Sequence, residues 1–404
     1  MKFEYSPCFE DAVKILQEIV SRPGKKTARK IDKPLAVYGA GKLGKMAVEL
    51  LERIGMPPDL VIDKNPEGHR NDPFWRDRAI VAASDVPHEV RKSFMLAISI
   101  ATLPYEELAA SLADQGWIDI VPFYDVSEAY RDIYPLSNGW VLDQFDSVDV
   151  TATRKVLENW GDDISRAHHL QFIAWHRLHE DWIFADAPID TGNRYFIPEV
   201  MVTLGGHESF LDVGAHHGEV SKRFLEELYH ECTRVWMIEP DPCNYAKIQE
   251  WLLSLNHKAK DHFKLLCCAV AGSSGQSKFY GGIGYASQLS GLGHKIVEVT
   301  TIDQLNLTPT FIKLHLEGGE LDALEGAIET IRNYQPLLAI TVYHSAIGVW
   351  QIPTWLITQT RRMGLDYRFL LRLHSWCGTG AVLYCIPKGK FHHVATGPLG
   401  KRGL

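Results

Sequence analysis

Apolar positions along the chain alternate between two spacings. Short unbroken apolar runs read as buried strands, and longer stretches with apolar residues three and four apart read as helices. Twice, a run enters glycines and then helical spacing. The first instance is Leu35-Ala36-Val37-Tyr38, then Gly39-Ala40-Gly41-Lys42-Leu43-Gly44. Leu43, Met46, Ala47, Leu50, Leu51 and Ile54 follow at helical spacing, and Gly55 with Pro57-Pro58 ends the helix. Residues 60–62 read as a short strand closed by Asp63, residues 94–100 as another, and Pro104 opens a helix through Leu112. Residues 118–121 read as the last strand of this unit.

The second instance is Phe210-Leu211-Asp212-Val213-Gly214-Ala215-His216-His217-Gly218, with a helix from Glu219 to about Tyr229. Strand 235–238 ends in Glu239-Pro240-Asp241-Pro242, and a helix covers 245–255. Residues 263–270 read as one strand and 272–293 as a glycine-rich hairpin or loop. Further strands are expected at 311–316 and 337–342, with helices over 320–334 and 352–363. Residues 367–373 and 381–386 are expected to close the sheet as an antiparallel pair. Between the two units, 166–182 has helical spacing and is rich in His and Trp.

Strands alternating with helices imply parallel sheets covered on both faces. The expected fold class is therefore α/β, with two Rossmann-like doubly wound domains, the second mostly parallel with its closing antiparallel pair. The expected divisions are a nucleotide-binding-like domain at 1–140, a helical connector at 141–205 and a second α/β domain at 206–404.

Composition narrows the function classes. The chain has 404 residues, 42 Lys plus Arg, 50 Asp plus Glu and a net charge of −8. A mildly acidic chain lacks the general electrostatic footprint of a nucleic-acid or anionic-membrane binder. No apolar window reaches the roughly 18 residues of a membrane span, and the first residues lack the build of a signal peptide. Seven cysteines without a Cys-x-x-Cys pair fit a reducing cytoplasm.

In a doubly wound sheet a ligand binds beyond the carboxyl ends of the strands, where the order reverses. The second turn reads D-x-G-x-x-x-G, short of the three-glycine fingerprint that receives a pyrophosphate. That favours a nucleoside without pyrophosphate, S-adenosylmethionine foremost, with Glu239 accepting the ribose hydroxyls.

Five stretches carry a resemblance: 210–218, Ile-Glu-Pro-Asp-Pro at 238–242, Val-Thr-Thr-Ile-Asp-Gln-Leu at 299–305, Ile-Lys-Leu-His-Leu-Glu-Gly-Gly-Glu-Leu at 312–321 and Pro-Leu-Leu-Ala-Ile-Thr-Val-Tyr-His at 336–344. In this order they resemble the FkbM family of S-adenosylmethionine-dependent methyltransferases over about 195–387. The resemblance implies O-methylation of a sugar, glycan precursor or other small metabolite. It implies that Asp212, Gly214, Ala215, His216 and Gly218 contact the methionine part and backbone. Glu239 and Asp241 belong to the ribose strand end, Cys268 and Ala269 to the adenine edge, and Glu317 and Gly318 to the turn facing the methyl group. Two positions depart from the family's pattern, His315 standing for an Asp and His216 for an Asn.

An imidazole can take the acceptor's proton. His315 is the first candidate base, oriented by Glu317 or Glu320, and His344 the next. Activity is then expected to rise with pH through about 6.5. His216, His315 and His344 have no local metal-ligand spacing, so no metal is expected.

In the first unit, Gly39, Gly41, Gly44 and Asp63 match a dinucleotide-type pattern, which reads as a nucleotide or nucleotide-sugar site or as a packing module. Two other function classes stay open: an NAD(P)-dependent oxidoreductase acting through that unit, and a non-catalytic nucleotide-binding protein. Expected partners are a small-molecule or sugar acceptor and, with oligomeric state open, a second copy in a homodimer.

Overall fold

The computed structural model describes residues 1–136, 139–142, 144–228, 232–255 and 260–389. The first glycine turn belongs to a five-stranded, wholly parallel sheet. Its spatial order is Ile80–Ala82, Leu60–Asp63, Leu35–Tyr38, Met95–Ile98, Asp119–Pro122. The edge strand Ile80–Ala82, only three residues long, gave no periodic signal.

The second turn belongs to a seven-stranded sheet ordered Phe263–Leu266, Cys232–Ile238, Glu208–Val213, Phe311–Leu314, Leu337–Thr341, Ala381–Pro387, Tyr367–Leu373. The first five are mutually parallel, and the last two run as an antiparallel pair. Chain order reverses between Glu208–Val213 and Phe311–Leu314, so the crevice of such a sheet opens past Val213 and Leu314. The central strands are buried on both faces, and most of their residues are apolar.

Several expected elements shift for local reasons. The single strand at 263–270 is two: Phe263–Leu266 stays in the main sheet, while Ala269–Val270 pairs with Lys295–Thr300. The glycine-rich segment contributes Gly275–Tyr280 and Gln288–Leu289 to that same four-stranded sheet. The helix expected at 320–334 is broken at Gly326-Ala327 into Glu320–Glu325 and Ile328–Tyr334. The connector helix runs Asp163–Leu178: Asp162 caps its start by accepting the Ser165 N–H, and His179 ends it at φ 58°. The expected end of a helix at Tyr229 lies outside the described residues.

Helix Phe9–Ser21 turns Ala12, Leu16 and Ile19 into a core shared with helices Ser147–Asn159 and Asp163–Leu178 and with the outer strands of the large sheet. Ile283 and Ala286, from the segment after Tyr280, are buried in the core of the first sheet beside Leu35, Val37 and Tyr134. The two sheets are thus stitched together next to the second crevice.

Candidate active site

The reversal point is held by one buried ion pair. Lys313 and Asp212 are register partners on adjacent strands, and Lys313 Nζ reaches Asp212 Oδ1 at 2.9 Å. Lys313 is 2% exposed and Asp212 fully buried. The ammonium also donates to the Gly214 carbonyl at 2.6 Å, and Ser221 donates to the second Asp212 oxygen at 2.7 Å. Asp212 therefore shapes the glycine turn from beneath and does not wall the cavity, a correction to its expected contact with the cofactor. Gly214 is required where it stands: φ is +75°, and a Cβ would lie 2.0 Å from the His315 carbonyl oxygen.

Past this turn lies a cavity of about 320 Å³, walled by Gly214, His216, Glu239, Cys268, Ala269, Glu317 and Gly318 among others. Ala215, Gly218 and Asp241 do not wall it. Ala215 is buried in the core, and the open face of Gly218 meets the Trp251 ring. Asp241 caps helix Pro242–Ser254 and accepts the Gly282 N–H and the Ser287 hydroxyl. It pins the segment that carries Gly284 and Tyr285 over the cavity. Tyr285 stacks on His216 with ring centroids 3.7 Å apart.

Glu239 accepts the His216 N–H at 2.7 Å on one oxygen and the Asp241 N–H at 2.9 Å on the other. Burial raises its carboxyl to about 7, against the pull of those two bonds. Asn244 also hydrogen-bonds to this carboxyl, and the four lone-pair sites of a carboxylate leave it room for a further donor.

At the far wall, His315, Glu317, Glu320 and His344 form one buried cluster. His315 Nδ1 lies 2.8 Å from the Tyr195 hydroxyl, and its Nε2 lies 2.9 Å from Glu317 Oε1. His344 Nδ1 lies 2.6 Å from Glu320 Oε1, and its Nε2 lies 3.3 Å from the same Glu317 oxygen. Glu320 also accepts the Leu316 and Gly318 N–H groups and the Thr341 hydroxyl, fixing the turn. Glu317 itself sits at φ 52°, a left-handed conformation of the kind held only where surroundings over-determine it.

The electrostatics revise the base assignment. Burial drives His315 down to about 3, more than Glu317 restores, so the ring is neutral. An activity rise near pH 6.5 therefore cannot come from His315. Burial opposes a charge on His344, but the Glu317 and Glu320 carboxylates outweigh it and hold the ring protonated. A cation cannot serve as the alternative base. Glu317 stays ionised despite burial because His344 and His315 flank it.

A second cavity, of about 400 Å³, lies on the other side of this cluster and shares His315, Glu317 and Tyr285 with the first. Its walls come from both sheets: Lys42, Leu43 and Tyr124 from one side, Arg194, Tyr343 and His344 from the other. Lys313, Tyr195, Arg194, Tyr124 and Tyr343 were not singled out from the sequence. Lys313, a charge inside an apolar strand run, was the one signal available.

The first glycine turn is filled by its own chain. Asp63 accepts the Ala40 and Asn65 N–H groups at 2.7 and 2.8 Å, and His69 lies 3.3 Å away. The Trp75 indole donates to the Ala40 carbonyl at 3.0 Å. A Cβ on Gly44 would meet the Gly39 oxygen at 1.9 Å, so that glycine serves the turn itself, while Gly41 faces open space. Asp63 is thus held in its loop by the same kind of backbone bonds that hold Glu239, with His69 beside it.

Residues 212–369 match the Methyltransferase FkbM domain. The match spans 158 of the 404 residues and marks this segment as similar to that family's domain. Its sheet order and reversal point are those of a Rossmann-like methyltransferase fold. The FkbM methyltransferase of Methylobacillus flagellatus is similar in structure, with a TM-score of 0.60, 19% identity, and coverage of 93% of this chain and 98% of that one. An rRNA methylase from Streptococcus thermophilus covers 48% of this chain and 95% of its own at 13% identity and TM-score 0.29. Aeropyrum pernix fibrillarin, solved with bound S-adenosyl-L-methionine, covers 46% of this chain and 68% of its own at 8% identity and TM-score 0.29. No curated protein sequence matches the chain. Among the described residues, no helix is long and apolar enough to cross a membrane.

Proposed function

We propose that the FkbM domain transfers a methyl group from S-adenosylmethionine to a hydroxyl of a sugar, glycan precursor or similar small metabolite. The observation that carries this reading is a pair of cavities meeting at one ionised cluster. The first cavity has the donors and acceptors a nucleoside needs. The Glu239 carboxylate accepts two ribose hydroxyls, Cys268 and Ala269 border the adenine, and Gly214 leaves room for the methionine backbone. The sulfonium methyl then points to Glu317 and His315.

The second cavity takes the acceptor. Tyr124, Trp140 and Tyr343 offer flat apolar faces, and Lys42, Arg194 and Thr379 offer polar contacts, a mixture suited to a hydroxylated ring. On this reading the first unit supplies a wall of the acceptor site and no cofactor of its own. Transfer depends chiefly on alignment: the acceptor oxygen must face the methyl carbon opposite the sulfur.

Calorimetry with S-adenosylmethionine tests the assignment. Glu239→Ala is expected to weaken binding by about 1.5–3 kcal/mol, the worth of hydrogen bonds to a charged group, or roughly 10- to 150-fold in Kd. Wild-type affinity in that variant would remove Glu239 from the site and with it the reading of the first cavity.

A further inference from the structure

We infer that His315, Glu317 and His344 form a binding site for one divalent transition-metal ion at the junction of the two cavities. The two imidazole Nε2 atoms converge on a single oxygen, Glu317 Oε1, at 2.9 and 3.3 Å, and the candidate ligand atoms all lie within 4.8 Å of one another. Ligands about 2.0–2.2 Å from an ion stand about 3–3.5 Å apart, so these separations leave room for one. The rings stack at 5.0 Å with planes 27° apart, and the Tyr343 hydroxyl lies 3.3 Å from His315 Nε2.

The outer contacts fit a metal site equally well. Metal-bound imidazoles nearly always present their other nitrogen to a carboxylate or another acceptor, which fixes ring and tautomer. His344 does so through Nδ1 to Glu320, and His315 through Nδ1 to the Tyr195 hydroxyl, which can accept as readily as donate. The inward atom His344 Nε2 is buried and faces the Glu317 oxygen at 3.3 Å; an ion bound there takes the place of the proton that nitrogen carries. Two nitrogens and one carboxylate oxygen suit a borderline ion such as Zn²⁺, Fe²⁺, Co²⁺ or Mn²⁺ rather than Ca²⁺. Three protein ligands leave positions open, and all three residues border the second cavity.

The ion's role, though not its presence, rests on the methyl-transfer reading above. An acceptor hydroxyl entering an open position would lose its proton to cavity water as its oxygen coordinates. That oxygen then forms the C–O bond while the S–C bond breaks and its electron pair returns to sulfur, leaving a neutral thioether and a methyl ether.

The test uses the full chain, stripped with chelator and titrated with Co²⁺. Uptake is read by elemental analysis and by visible absorption, and S-adenosylmethionine binding is measured on the same samples. One ion per chain is expected, with affinity falling at least 100-fold in His315→Ala and Glu317→Gln and unchanged in His217→Ala. Wild-type protein that binds S-adenosylmethionine but takes up no Co²⁺ overturns the inference. So does an ion lost in His217→Ala and kept in His315→Ala, which would place it at His216, His217 and Glu219. Uptake of the ion without cofactor binding sinks the methyl-transfer reading and leaves the metal site standing. If the His315 and Glu317 variants fail to fold, the His217→Ala protein decides: the nitrogen hyperfine splitting of its bound Cu²⁺ must still report two imidazoles, where the site at His216 and Glu219 would keep only one.

Discussion

Lys313→Met is expected to destabilise the protein by about 3–5 kcal/mol, the usual cost of stripping one partner from a buried ion pair. Asp212, fully buried, would keep the Ser221 hydroxyl as a partner but lose the ammonium. The Gly214 carbonyl would lose its donor as well, so the turn beside the first cavity should loosen and S-adenosylmethionine affinity fall in parallel. Urea unfolding followed by circular dichroism gives the number. The double variant Asp212→Asn with Lys313→Met supplies the control. Removing both charges should recover much of the loss, because the penalty lies in the orphaned carboxylate rather than in the missing attraction. A single variant within 1 kcal/mol of wild type would show that the pair is dispensable to the fold.

The second large effect is acid lability. His168 and His169 are buried in the connector helix, and each uses Nδ1 as an acceptor: His168 from the Leu373 N–H, His169 from the Trp160 indole. Protonation would remove those lone pairs. Burial lowers His168 to about 4, with Arg372 adding to the effect, and lowers His169 to about 3. Unfolded, both rings take up protons below about pH 6.5. The unfolded chain therefore binds more protons between that pH and 3–4, and their stabilisation is complete above about pH 7 and drains away as pH falls. At pH 5 the two together should have lost roughly 4 kcal/mol relative to pH 7.5. Glu239 and Asp181, raised by burial to about 7 and about 6, act in the opposite sense. The decisive quantity is thus a difference. His169→Gln keeps an acceptor for Trp160 but cannot titrate, and its stability should fall by about 2 kcal/mol less than wild type between those pH values. Identical slopes for the two proteins would rule out His169 as a titrating group.

Both glycine turns and the strands around them were legible in the sequence because a parallel strand buried on two faces has to be an apolar run, and a βα turn has to begin with residues that fit it. Two walls of the first cavity were legible for the same reason, since Gly214 and Glu239 sit at strand ends whose positions follow from those runs. Geometry that depends on contacts between distant segments was not. Asp212 matched a contact motif, but its carboxylate is turned inward by Lys313 on the neighbouring strand. The bonds that Asp63 accepts from the Ala40 and Asn65 N–H groups, and the approach of His69, were likewise invisible in its spacing. Burial moves the His315 titration down and two carboxylates hold His344 protonated, and local spacing holds no record of either. The edge strand Ile80–Ala82 escaped notice because three residues are too few to show a period, whereas helix Phe9–Ser21 was missed although Ala12, Leu16 and Ile19 stand at helical spacing.

The segment after Tyr280 has a consequence for how this chain can be divided. Gly284 and Tyr285 cover the first cavity, while Ile283 and Ala286 in the same short stretch are core residues of the first sheet. Arg53 and the Pro135 carbonyl of the first unit bind its backbone and the Gln288 side chain. A fragment trimmed to the FkbM segment would lose the apolar surface on which that cover rests, and would expose Ile283 and Ala286 to water. The methyltransferase domain is therefore not a portable cassette: grafted onto another protein without residues 35–136, it would carry an unlatched lid and a sticky seam.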